Sequence, residues 1–86
     1  MNNICIAVFN SSSNSIHMFK ILKDQRLKVE LMSTPCTIAS SCSRAIKFSL
    51  NDLERVIKVI EEYKINIKGI YERVYSGNRF FYKKVY

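Results

Sequence analysis

Leu53, Val56, Ile57 and Ile60 recur at i, i+3, i+4 and i+7, and Glu54, Arg55, Lys58, Glu61 and Glu62 take the positions around them. This spacing runs an apolar stripe down one side of a helix, and the stripe must be buried against something. The helix is expected to begin near Asn51. There Asn51 and Glu54 have the spacing of a capping box, and Glu54 to Lys58 is a favourable i, i+4 pair.

The segments around this helix read mostly as strands. Asn3 to Phe9 is rich in branched and aromatic residues without strict alternation, the pattern of a central strand. Leu27 to Ser33 alternates Leu27, Val29 and Leu31 with Lys28, Glu30 and Met32, as a half-buried strand does. Arg44 to Ser49 and Ile65 to Val74 supply two more. Between the first two strands, the polar run Asn10 to Ser15 can cap a helix, which continues from about Asn14 to Gln25 with Ile16, Met18, Phe19 and Leu22 as its apolar residues. The resulting order is β-α-β-β-α-β. An α+β fold of ferredoxin-like architecture is therefore expected, an antiparallel sheet with both helices on one face. Residues 1–74 would form this domain, and residues 75–86 an aromatic, basic tail that either adds a strand or stays mobile.

At 86 residues, the chain is long enough for one domain with one core. Its net charge of +7 is unevenly placed: Arg73, Arg79, Lys83 and Lys84 all follow the last acid, Glu72, so the body carries only +3. The body is not a strongly basic module. No apolar run approaches the roughly 18–20 residues of a membrane span, and none reads as a signal peptide. The three cysteines Cys5, Cys36 and Cys42 cannot all pair within one chain, so reduced thiols and a cytoplasmic setting are expected.

Chemistry centres on Cys42, in the run Ser40-Ser41-Cys42-Ser43-Arg44 between the second and third strands. A thiol acts as nucleophile or sulfur carrier only as thiolate, and nearby amide dipoles and cations favour that form. Ser40, Ser41, Arg44 and Lys47 are the candidate groups. By spacing alone, a small residue packed at a loop edge is the preferred reading of Cys42. Cys36, six residues earlier, is too far for a CxxC motif but close enough for a disulfide across a loop, so a thiol redox sensor is a further reading. His17 reads as a helix-surface residue and Cys5 as core. No zinc spacing is present, and with only Gly69 and Gly77 there is no phosphate-binding glycine loop, so neither metal nor cofactor is expected. Independent turnover is not expected either, since no His stands at a recognisable spacing from Cys42. The strand Ala45 to Phe48 lacks the aromatic, glycine-containing stacking motif of RNA-recognition modules. Phe80, Phe81, Tyr82, Lys83 and Lys84 could stack bases and touch phosphates, or serve as an edge strand or subunit contact; the structural reading is preferred.

Phe9-Asn10-Ser11-Ser12, Thr34-Pro35, Ser40-Ser41-Cys42, Ala45 to Phe48, Asp52-Leu53-Glu54 and Ile67 to Tyr71 together resemble a selenium/sulfur carrier-like family of small bacterial proteins. The similarity runs in one register from about residue 4 to residue 73. The resemblance implies a one-domain protein in which Cys42 carries sulfur or selenium as a persulfide or selenopersulfide. Its partners would be a donor such as a cysteine desulfurase and an acceptor enzyme, with Cys36 as a candidate resolving thiol. Ser43 stands where the family usually has Gly, and Cys36 where it usually has Arg, which alters the conformation and charge of this segment. The alternative is a non-enzymatic interaction module that binds a protein or nucleic acid through its sheet or basic tail.

Overall fold

A computed structural model describes residues 3–34 and 44–86. The elements run β1 (Ile4–Phe9), α1 (Ser12–Asp24), β2 (Glu30–Ser33), β3 (Arg44–Ser49), a 3-10 turn (Leu50–Asp52), α2 (Leu53–Tyr63), β4 (Ile67–Ser76) and β5 (Arg79–Lys84). Four antiparallel pairings join the strands into one sheet in the order β2-β3-β1-β4-β5. The fold is α+β, a five-stranded antiparallel sheet with two helices.

Alternation along the strands sorts the core into two sides. Cys5, Ala7 and Phe9 of β1, Ile46 and Phe48 of β3 and Ile70 of β4 share one cluster with Met18 and Leu22 of α1 and Val56, Val59 and Ile60 of α2. Both helices therefore cover this face. Ile6, Val8 and Ala45 point the other way, packed with Met32, Tyr71 and Tyr82.

The helix starts differ from expectation in instructive ways. α1 begins two residues early because Ser11 is its N-cap, its Oγ accepting from the Asn14 amide at 3.3 Å. That start puts Ser15, Met18, Phe19 and Leu22 on the inner side and leaves Ile16 47% exposed. Ser15 is tolerated inside because its hydroxyl donates to the Ser12 carbonyl at 2.7 Å. No Asn51 capping box forms at α2: Asn51 lies in the 3-10 turn, where its amide donates to Ser49 Oγ at 3.3 Å, and Asp52 at the α2 N-cap makes no side-chain cap bond.

The C-terminal run adds a strand. β4 continues to Ser76, the chain turns at Gly77 and Asn78, and β5 pairs back from Arg79. Beyond β5, the Val85 amide donates to the Ile70 carbonyl at 2.8 Å, which holds the last residues beside β4.

Candidate functional site

β1 is central, and its C-terminal end gathers the segments of interest. Val8 pairs with Ala45, and Ser33 with Arg44, so β2 ends and β3 begins at the edge of the sheet where β1 passes into α1. β4 starts there too, with Ile67 opposite Phe9. Side-chain amides tie the two turns at this end together: Asn10 Nδ2 donates to Asn66 Oδ1 at 3.4 Å, and Asn14 Nδ2 to the Asn66 carbonyl at 3.3 Å.

Two features add positive charge at this end, where the C-terminus of α2 contributes the opposite partial charge. The N-terminus of α1 carries the partial positive charge of its aligned peptide dipoles, and no acidic residue lies in its first turn to offset it. Arg44, exposed at the first position of β3, adds a full charge. Such a setting favours an anion, thiolate included.

Arg44 and Lys47 are not brought together. Three positions apart on one strand, they point to opposite sides of the sheet. Lys47 lies instead across from Glu30 of β2, with Nζ 2.7 Å from Oε2, and this contact lowers the Glu30 pKa. Cys36, Ser40, Ser41 and Cys42 lie outside the described residues. Of the bracketing positions, Thr34 is buried and Arg44 exposed.

Cys5 is fully buried in the helix-facing core, and burial, with the Glu72 carboxylate as a lesser cause, pushes its pKa up to about 11. It is a packing residue. His17 sits exposed on α1, its ring 6.4 Å from that of Tyr63 in an edge-on contact. Among the described residues no cluster of His, Cys, Asp and Glu is arranged to hold a metal ion, and no helix is long and apolar enough to cross a membrane.

A second constellation brings Arg73, whose role the sequence reading did not single out, beside Phe80 and Tyr82, which that reading offered for base stacking or for an edge strand. On the side of the β4-β5 hairpin away from the helices, Arg73 lies 5.1 Å from the Phe80 ring centre and 5.8 Å from that of Tyr82. Its Nη2 donates to Tyr82 Oη at 3.4 Å, while its Nε is buried with no hydrogen-bond partner among the described residues. Hydrogen bonding with Tyr75 and Tyr82 raises the guanidinium pKa. The signal was present in the alternation of Tyr71, Arg73 and Tyr75 and of Phe80, Tyr82 and Lys84 on either side of Gly77-Asn78.

The family model described as "Putative Se/S carrier protein-like" matches residues 4–72. The chain belongs to this family. The carrier-like match runs through β1, α1, the Cys42 connection, β3 and α2, and stops inside β4. Arg73 and the whole of β5 lie beyond it. No curated protein and no solved structure matches the chain.

Proposed function

We propose that this protein is a sulfur or selenium carrier and that Cys42 is its carrying thiol. The observation that bears most weight is the family match, which spans the connection holding Cys42. The setting is chemically consistent: Arg44, two residues along the chain from Cys42, opens β3 at the end of the sheet where α1 presents its N-terminus. Arg44 is the local cation in this reading, and Ser40 and Ser41 are hydrogen-bond donors to the sulfur. Lys47 is left to its ion pair with Glu30. β1 to β4 with the two helices form a ferredoxin-like unit in this reading, and β5 is an addition at its edge.

Each transfer is an exchange at divalent sulfur. The Cys42 thiolate attacks the terminal sulfur of a donor cysteine persulfide. The new Cys42 S–S bond forms as the donor's S–S bond breaks, and the donor cysteine leaves as thiolate. An acceptor nucleophile then attacks the same terminal sulfur and releases Cys42 as thiolate, with no outside oxidant or reductant required. A selenopersulfide follows the same course. The partners are therefore a persulfide-forming donor of the desulfurase class and an acceptor enzyme, working where thiols stay reduced. Cys42→Ala protein incubated with a desulfurase and radiolabelled cysteine should take up no protein-bound sulfur; uptake at the wild-type level would overturn the assignment.

A further inference from the structure

The side of the sheet away from the helices ends, at the β4-β5 hairpin, in a basic aromatic surface. Tyr75 and Phe80 face each other across the hairpin, ring centres 5.9 Å apart, and are 60% and 52% exposed. Phe80 and Tyr82 meet edge to face at 5.7 Å. Arg73 is held over Phe80 and Tyr82, so its charge is fixed among the rings rather than spread through solvent. Lys84 is exposed on the same side of β5.

The acidic residues are elsewhere. Of the seven, five lie on α1, α2 or the turn before it, and Glu72 points to the helix side, paired with Cys5. Glu30 alone shares the open side, on the far edge strand, and is matched by Lys47.

We propose that this hairpin face binds single-stranded nucleic acid. Its rings suit the π-faces of unstacked bases, and Arg73 and Lys84 suit the phosphates, the combination by which such strands are held without sequence readout. Duplex hides its base faces and fits the rings poorly. A second copy of this chain is disfavoured as occupant because it would set Arg73 and Lys84 against like charges with no acid on either hairpin face to offset them. The surface lies outside the family match and involves no cysteine, so it stands independently of the carrier reading.

The full chain should be titrated into a fluorescein-labelled oligo(dT) of roughly 12 nucleotides, and into a duplex of equal length, by anisotropy from about 50 to 200 mM salt. Saturable binding that prefers the single strand is expected. Tyr75→Leu and Phe80→Leu, which keep apolar bulk but remove the π-face, should each weaken it about tenfold. Lys84→Gln should reduce the magnitude of the log-log salt slope by about 0.7, whereas Lys58→Gln on α2 should leave affinity nearly unchanged. Circular dichroism melts of each variant confirm that it is folded. No binding at the lowest salt, equal affinity for duplex, or an affinity untouched by the ring substitutions would overturn the proposal. So would sedimentation showing a wild-type dimer that Phe80→Leu converts to monomer, since the face would then be a contact between copies.

Discussion

Ionisation as well as access decides what a thiol can do, and Cys5 has neither. With its pKa at about 11, only about one molecule in a thousand carries a Cys5 thiolate at pH 8. Native protein treated with iodoacetamide at that pH should therefore leave Cys5 unmodified until denaturant is added, as peptide mass spectrometry would show. The same shift has a stability consequence. The folded pKa lies above the unfolded reference of 9.0, so the buried neutral thiol contributes stability that is full below pH 9 and is lost as pH rises through about 11. A loss of about 2–3 kcal/mol across that window is expected in urea titrations, and Cys5→Ala should flatten it. Gly69 is constrained differently: an added Cβ would lie 2.9 Å from Lys84 Cε and 3.1 Å from the Tyr86 carbonyl oxygen. The lysine can swing away but the backbone carbonyl must shift, so Gly69→Ala should cost about 1–2 kcal/mol, read from the urea midpoint. Parity along β3 was equally legible, since residues three apart on a strand face opposite ways, yet Arg44 and Lys47 read as a pair until the strand was laid beside Glu30.

The hairpin depends on a glycine for a conformational reason. Gly77 has φ of +62°, Asn78 is not among the positive-φ residues, and glycine first in a two-residue loop is the pattern of a type II′ turn. An alanine Cβ there would meet nothing within 4 Å, so the cost of Gly77→Ala is backbone strain alone, about 1 kcal/mol or slightly more by equilibrium unfolding. Element by element, period and position were legible to different degrees. β3 has the predicted bounds because Arg44 to Ser49 is laddered on both sides, by β1 and β2. β2 reads as seven residues but is laddered over only four, Glu30–Ser33. Leu27 and Val29 are nonetheless buried, so the alternation reported which side chains face the core, not which amides are paired at an edge. At α1 several consecutive serines and asparagines can cap, and the choice of Ser11 follows from the inner stripe that Met18 and Leu22 complete, which is tertiary information. The C-terminal strand was obscured because Tyr75 to Arg79 reads as the start of a tail unless Gly77-Asn78 is taken as a hairpin turn.

Across the whole molecule, a single central strand links the core to the end of the sheet where β1 passes into α1. Phe9, fully buried, closes the helix-facing core where β1 turns into α1. Phe9→Ala should cost about 3–5 kcal/mol, a large part of the roughly 4–13 kcal/mol expected for a domain of this size, and thermal melts should show it. The family match places the Cys42 connection within the carrier-like part of the chain, and the aromatic hairpin outside it. Of the candidate site, sequence and family resemblance pointed to Cys42 and its neighbouring serines, which lie outside the described residues; the positive charge at the sheet end was not legible, because it arises from α1 and β3 meeting across β1. The most direct test is to incubate the reduced protein with a cysteine desulfurase and cysteine, then measure intact and peptide masses under non-reducing conditions. An adduct about 32 Da heavier on the peptide containing Cys42, removed by a thiol reductant, is the expected result. A Cys42 peptide left at its original mass, while a reactive control thiol in the same mixture gains sulfur, would contradict it.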